Sequence, residues 1–171
     1  MHMSDGIAVM NHGRIEQYDT GHQLYRRPGS RFVADFIGSI NFIPATYRGN
    51  KNGKCILDIS ERVAVELDAL LHPKLAHKSI GSEIRLAVRP EHVGIFPDPK
   101  RGQMSGTVEA SVFIGSSTVV LVRLDAFPDI DLRVQLPATT SSPVLRKNSR
   151  VGVNLDTLSL LTFDLETRLA A

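Results

Sequence analysis

A two-residue hydrophobic alternation, repeated along most of the chain, is the feature that most restricts its fold. In the run RVAVELD, Val63, Val65 and Leu67 alternate with alanine and acidic residues, and EIRLAVRP follows the same period. Because successive side chains of a strand point to opposite faces, this period predicts half-buried strands of antiparallel sheet. Nine or ten such runs lie between Asn41 and Phe163, separated by turn clusters such as RGNKNG and FPDPKRG. The sequence therefore predicts a mainly β fold, built as a small barrel or as paired barrels.

One of these predicted strands is the run GTVEASVFIG. Its alternation places Val108, Ala110, Val112 and Ile114 on one face of the strand. Strands of an antiparallel barrel bury one face and expose the other. We therefore expect these four side chains to point into the core.

The first part of the chain follows a different pattern. The stretch SDGIAVMNHGRIEQ indicates two short strands joined by NHG, where Asn11 and Gly13 both tolerate the positive φ of a hairpin turn. A lone two-stranded hairpin is only marginally stable in water. The sequence therefore raises the question of what this hairpin packs against.

Two short helices are predicted after the hairpin. In DTGHQLYRRP, Thr20 is a candidate N-cap and Pro28 ends the helix, whereas in GSRFVADFIG Ser30 is the candidate N-cap. The second helix places Phe32 and Phe36 on its apolar face, where we expect both to pack. We expect this mixed α/β segment, residues 1–40, to be unable to form a core alone, and residues 41–165 to form an all-β body.

Charge and composition limit the classes of partner. The 20 basic and 18 acidic residues leave a formal charge of +2, aromatic residues make up 6%, and there is no tryptophan. Nucleic-acid-binding surfaces need clustered positive charge and often aromatic stacking platforms. We therefore predict no nucleic-acid partner. No apolar run approaches the roughly 20 residues that cross a bilayer.

Residues that carry catalytic or metal-binding chemistry are scattered. The single cysteine, Cys55, lies in the strand-like run GKCILDIS and is predicted to be an inert packed thiol. His72 and His77 of HPKLAH are predicted to be surface loop residues rather than zinc ligands, because no cysteine or carboxylate pair joins them. Ser116 and Ser117 follow a glycine in FIGSSTVV without forming a nucleophile elbow, so a turn is predicted there. We predict no catalytic, cofactor-binding or metal-binding residue.

A phosphate-binding loop is also missing from the sequence. The only Gly-Lys pair, Gly53 and Lys54, has Arg48 where the loop needs its first glycine, and Cys55 where it needs serine or threonine. We therefore expect no bound ATP or magnesium on this chain.

The order of these elements resembles the C-terminal end of an ATP-binding cassette (ABC) importer ATPase subunit of the maltose, polyamine and iron type. MSDGIAVMNHGRIEQ is similar to the last stretch of the family's ATPase domain, and LYRRPGSRFVADFIGSINFIPA is similar to the linker that follows it. LAVRPEHVGIF, MSGTVEASVFIGSSTVVLVRL and VGVNLDTLSLLTFD resemble segments of the family's transport-associated OB-like (TOBE) domain. The family's phosphate loop, signature motif and catalytic Asp-Glu pair have no counterpart here, and His2 lies too close to the hairpin to match its switch histidine.

This resemblance implies a domain organisation and a function. Residues 1–40 would be a remnant of the ATPase domain and its linker, and residues 41–165 the regulatory barrel. The chain would be a regulatory and dimer-contact region that supports ATP-driven solute uptake, not itself an enzyme, with ATP and magnesium held only in the missing ATPase domain. Its partners would be a second copy of the ATP-binding subunit and the membrane-spanning subunits. Its location would be cytoplasmic, peripheral on the inner face of the cell membrane.

Two alternatives remain open at this point. The first is a stand-alone barrel that binds a small ligand, an oxyanion or a transported solute, with Arg89, Arg101 and Arg133 as candidate contacts. For each of these arginines we expect a solvated surface position or an ion pair instead. The second alternative is an inactive truncated fragment.

The resemblance also gives a structural expectation for the hairpin. If the sheet of the ATPase domain is absent, Ile7, Val9 and Ile15 should be exposed or should be covered by a partner chain or the barrel.

Overall fold

The computed structural model describes residues 5–138 and 145–165, and the chain divides into two compact units between Ile40 and Asn41. The first unit contains, in chain order, β1 (Ile7–Asn11), β2 (Arg14–Asp19), α1 (Gly21–Arg26) and α2 (Arg31–Ile37). The strands of the second unit are β3 (Asn41–Lys51), β4 (Lys54–Ser60), β5 (Val63–Asp68), β6 (Glu83–Val88), β7 (Val93–Phe96), β8 (Met104–Phe113), β9 (Ser117–Leu124), β10 (Asp131–Pro137), β11 (Arg150–Leu155) and β12 (Leu161–Asp164). Short 3₁₀ turns at Pro73–His77, Pro90–His92, Pro99–Arg101 and Thr157–Ser159 join some of these strands.

The β1–β2 hairpin closes through a two-residue turn. Asn11 pairs with Arg14, and the positive φ angles fall on His12 (46°) and Gly13 (78°). A turn of this length needs left-handed backbone at both central residues. The predicted hairpin is therefore confirmed, with His12 and Gly13 rather than Asn11 in left-handed backbone, because Asn11 is the last residue of β1.

Val9 is buried within the first unit. Its side chain is only 1% exposed and clusters with Leu24 of α1 and Val33 of α2. Val9 was expected to be exposed, or to be covered by a partner chain or the barrel. This expectation is wrong, because the two helices of the same unit cover its face of the hairpin. Ile15 is 62% exposed, as predicted, and Ile7 is half-buried against the same cluster. The buried cluster of Val9, Leu24 and Val33 is therefore a very small core.

Both helices begin at the predicted caps. The Thr20 hydroxyl accepts a hydrogen bond from the Gln23 backbone N–H at 3.3 Å, and the Ser30 hydroxyl accepts one from Val33 at the same distance. These bonds satisfy backbone donors that the first helical turn leaves unpaired. The α2 face differs from the prediction, since Phe36 is 67% exposed and contacts Phe32 by ring stacking rather than entering the core.

The second unit consists of two antiparallel five-stranded sheets around one shared core. One sheet has the order β12-β6-β3-β4-β5 and the other the order β10-β9-β8-β11-β7. The outer strands of the second sheet, β10 and β7, lie against each other, so this sheet curls into a nearly closed barrel. The predicted mainly β, OB-like fold is confirmed, including the number of strands between Asn41 and Phe163.

The alternation in β8 is interrupted by a β-bulge. The register with β9 shifts between Val108 and Ala110; Val108 is fully buried, whereas Val112 and Ile114 are each 56% exposed. A bulge adds one residue to a strand and re-aims the side chains that follow it. The expectation that all four residues point into the core is therefore wrong beyond the bulge.

Candidate interaction surfaces

The end of the β8–β9 hairpin is apolar and exposed. Val112, Phe113 and Ile114, here called the apolar hairpin end, are 56%, 68% and 56% exposed. At the base of the hairpin, Glu109 and Arg123 form an ion pair of 3.1 Å, and no charged residue lies between them in the sequence. Contiguous exposed apolar side chains on a small domain are typical of an interaction site.

Regular backbone pairing holds the apolar hairpin end in place. Val112 pairs with Val119 and Phe113 with Thr118 in the β8–β9 ladder. The Ile114 N–H donates to the Ser117 carbonyl at 2.8 Å. The exposed apolar side chains are therefore presented on ordered backbone.

The two serines of this hairpin are structural residues. Ser117 is 5% exposed, and its hydroxyl accepts a hydrogen bond from the Gln135 side chain at 3.2 Å. The Ser116 carbonyl accepts from the Ala138 N–H at 3.0 Å. Both contacts tie β10 to the turn, as expected for residues of a strand connection rather than a nucleophile.

Asn41 lies at the start of β3 and forms a two-point contact with β10. Its amide nitrogen donates to the Arg133 carbonyl at 2.8 Å, and its amide oxygen accepts from the Arg133 N–H at 2.7 Å. The side chain therefore makes the same pair of hydrogen bonds with the β10 backbone that a residue of a neighbouring antiparallel strand would make. Sequence reasoning did not identify this contact, because the partners are 92 positions apart.

The three candidate arginines lie on different elements of the fold. Arg89 is 3% exposed at the start of the Pro90–His92 turn, so it is not a solvated surface residue. Arg133 is exposed in β10, and exposed Arg101 lies over the Phe96 ring at 5.3 Å from its centre. A cation over an aromatic face is a common surface arrangement and does not indicate a ligand site.

His72 is buried, contrary to the predicted loop surface position. It is 8% exposed, and its Nδ1 lies 3.3 Å from the Thr162 hydroxyl of β12. Burial lowers the pKa of His72, and the nearby Asp68 carboxylate partly opposes that shift. His77 is exposed, as predicted. Within residues 5–138 and 145–165, no group of three histidine, cysteine or acidic side chains is placed to hold a metal ion.

Cys55 is a packed residue of β4, as predicted. Its side chain is fully buried, next to the Tyr47 hydroxyl and with the Asn50 amide nitrogen 4.0 Å from its sulfur. Burial, with a smaller contribution from Cys55, raises the pKa of Tyr47. This setting is that of an inert thiol, since reactive cysteines are partly exposed and lie near positive charge.

Comparison with protein families identifies the barrel. The model of the TOBE domain matches residues 86–163, from β6 to β12, and includes the apolar hairpin end. The barrel is a TOBE domain. The sequence resemblance to the TOBE-containing importer subunits is thereby confirmed.

The relatives of this TOBE chain are import ATP-binding proteins. It is 37% identical over 135 residues to the spermidine/putrescine import ATP-binding protein PotA of Mesorhizobium japonicum, covering 78% of this chain and 35% of that protein. It is 32% identical over 167 residues to the sulfate/thiosulfate import ATP-binding protein CysA 2 of Chromobacterium violaceum, covering 94% and 42%. The chain thus spans well under half the length of these relatives, and corresponds to the C-terminal parts of these ABC importer subunits.

A solved structure shares the fold of the TOBE chain. The cytoplasmic molybdate-binding protein ModG, with molybdate bound, superposes with a TM-score of 0.57, covering 81% of this chain and 99% of the other. The sequences are 12% identical, so the likeness concerns the fold alone. Among the helices in the described ranges, none has the length and apolar character needed to cross a membrane.

Proposed function

We propose that the chain is the regulatory and dimer-contact region of an ABC importer ATP-binding subunit, and that it supports solute uptake without a nucleotide site of its own. The observation that carries this proposal is the alignment with CysA 2, which extends through both units over 94% of the chain. The proposed partners are a second copy of the subunit and the membrane-spanning subunits. This role places the chain in the cytoplasm, on the inner face of the cell membrane.

Contact between the barrels of two subunit copies would hold a dimer together for a physical reason. Two ATPase faces that separate during a transport cycle need another contact to keep them close, and such a contact gives them a high effective concentration. A two-fold interface brings each residue close to its own symmetry mate, so charged residues near the axis repel one another. The apolar hairpin end lies in a stretch that has no charged residue between Glu109 and Arg123. It could therefore lie at a two-fold axis and meet its symmetry mate without charge repulsion.

Sedimentation of the purified chain tests the contact between copies. We expect dimers at high protein concentration, and we expect Phe113→Ser to shift the population to monomers without loss of folding. Leu158→Ser is the matched control, because Leu158 is an 80% exposed leucine elsewhere on the barrel. If the wild type and Phe113→Ser associate equally, or if Leu158→Ser has the same effect as Phe113→Ser, the apolar hairpin end is not the contact between copies.

An ATPase assay tests the absence of a nucleotide site. We expect no magnesium-dependent hydrolysis above background and no ATP-dependent rise in melting temperature. A measurable rate that survives further purification would overturn the non-enzymatic role. Expression together with a matching upstream ATPase domain should restore hydrolysis.

The fold shared with ModG supports one alternative, a small-ligand site on the barrel. ModG binds molybdate, and backbone N–H groups with arginines in loops can bind such oxyanions. Arg101 and Arg133 are exposed and could take part. A thermal-shift series with molybdate, sulfate, phosphate and spermidine separates the two roles: a saturable shift with one ligand favours the binding role, and none favours the contact role.

A further inference from the structure

The turn between β3 and β4 carries an asparagine followed by glycine. Lys51 pairs with Lys54 at the end of the ladder, and Asn52 and Gly53 form the two-residue turn with φ angles of 53° and 76°. Both turn residues are exposed. We propose that Asn52 is a site of spontaneous deamidation, at which the turn is converted to aspartate and isoaspartate.

The chemistry needs only the residues of the turn and water. The Gly53 backbone nitrogen loses its proton and attacks the side-chain carbonyl carbon of Asn52, the new C–N bond closes a succinimide, and ammonia leaves with that proton. Water then opens the ring. Cleavage of the bond to the former side-chain carbonyl gives aspartate, whereas cleavage of the bond to the main-chain carbonyl gives isoaspartate. No oxidant or metal takes part.

Gly53 allows the attack because it has no side chain to obstruct its nitrogen. A Cβ atom built at Gly53 would meet no atom within 4 Å, so the space around the turn is open. In a two-residue hairpin turn the cross-strand bonds belong to the flanking residues. The Gly53 nitrogen therefore faces solvent, where hydroxide can remove its proton.

Nearby lysines favour the same step. Lys51 and Lys54 flank the turn, and the Asp68 carboxylate, 3.5 Å from Lys54, offsets part of the second charge. A positive charge close to an ionising amide nitrogen stabilises the anion. We therefore expect the step to be faster here than at an asparagine without flanking cations.

The other asparagines lack this combination. Asn41 and Asn154 have their side-chain amides engaged by the backbones of Arg133 and Gln103. Asn11 and Asn50 donate to Glu16 and to the Cys55 sulfur. Asn148 has a positive φ of 66°, but serine follows it. Asn52 is the asparagine in this chain that precedes glycine.

Isoaspartate would loosen the adjoining strand. It adds a carbon to the main chain between Asn52 and Gly53, which a two-residue turn cannot accommodate without losing its register. The Gly53 carbonyl accepts a hydrogen bond from the Ala69 N–H at 3.0 Å, just beyond the end of β5. We expect this bond to weaken after the conversion.

Peptide mapping of the full chain after incubation in mildly alkaline buffer tests the proposal. We expect the first deamidated peptide to contain Asn52, with more isoaspartate than aspartate, and a rate that rises in proportion to hydroxide. Asn52→Gly is the control, because glycine keeps the positive φ and removes the reacting amide. The Ala69 amide should exchange faster in the aged wild type and not in this variant.

Two results would overturn the assignment. One is an earliest deamidation at another asparagine, such as Asn148. The other is equal acidification of the wild type and Asn52→Gly over the same period. Either result would mean that this turn protects its asparagine.

Discussion

Asn41 bonds both backbone groups of Arg133, with distances of 2.8 and 2.7 Å, and so joins the first residue of β3 to the middle of β10. The two residues belong to different sheets, so a single carboxamide links the edge of one sheet to the other. Asn41 is 7% exposed, which strengthens both bonds relative to exposed ones.

Replacing Asn41 should therefore lower the free energy of unfolding. We expect Asn41→Ala to cost about 1–3 kcal/mol, because a buried backbone donor and acceptor lose their partner. Asn41→Asp, which keeps the acceptor and loses the donor, should also destabilise. Urea denaturation measures the change, and exposed Asn50→Ala should stay within about 0.5 kcal/mol of the wild type. Equal costs at the two positions would contradict the linking role.

Gly102 should not tolerate a side chain. A Cβ atom at this position would lie 2.3 Å from the Val153 nitrogen and 2.5 Å from the Met104 carbonyl oxygen. We expect Gly102→Ala to lower the free energy of unfolding of the barrel by at least about 1–3 kcal/mol, because backbone atoms of two strands would have to move. Gly94→Ala is the control, since its nearest atoms lie at 3.8 Å. Thermal unfolding compares the variants, and a neutral Gly102→Ala would show that the Pro99–Arg101 turn shifts easily.

The stability of the barrel should fall at mildly acidic pH because of His72. Its pKa is lowered in the folded state, so the unfolded state binds more protons between the folded pKa and about 6.5. Stability then rises with pH across that window and is lost as pH falls through it, by at most about 1.4 kcal/mol per pH unit. His72→Gln does not titrate and should flatten this slope. Equal slopes in urea denaturation for the two proteins would assign the pH dependence to other groups.

Asp125 should contribute to stability in the same direction as His72, but in a more acidic range of pH. A two-point contact from Arg150, with a hydrogen bond from Ser105, lowers the pKa of this carboxyl group. Its contribution is present above the unfolded pKa of about 3.9 and is lost as pH falls through the folded value. Because both side chains are nearly half exposed, we expect Asp125→Asn to cost less than about 1 kcal/mol and to lose its effect in high salt. A larger, salt-independent cost would point to packing instead.

The architecture could be predicted from the sequence because the two-residue alternation of apolar side chains along a strand determines which of them are buried. The strands Val63–Asp68 and Arg150–Leu155 alternate cleanly and were found as expected. The alternation failed at Val112 and Ile114, because the bulge near Ala110 depends on pairing with β9 and has no local signature. The apolar hairpin end was consequently missed, although the uncharged stretch after Glu109 could have signalled it.

Long-range contacts explain the remaining differences. His72 was predicted to be a surface loop residue because Pro73 follows it and no cysteine or carboxylate pair joins it. Its burial depends on contact with β12, whose Thr162 lies 90 positions later. Val9 was expected to be exposed or covered by a partner chain or the barrel, on the premise that the sheet of the ATPase domain is absent, and this expectation did not consider the two helices that follow the hairpin. The capping residues Thr20 and Ser30 were predictable, since their partners lie three positions away.

The contact between β10 and β7 has a consequence for how this protein can be recognised. Because the two outer strands of this sheet lie against each other, an incoming strand has little room to pair with either edge. Binding by strand addition is therefore disfavoured on that sheet, and so is the growth of fibrils from it. A partner of that sheet therefore has to recognise it through side chains, which can change among related barrels while the backbone stays the same.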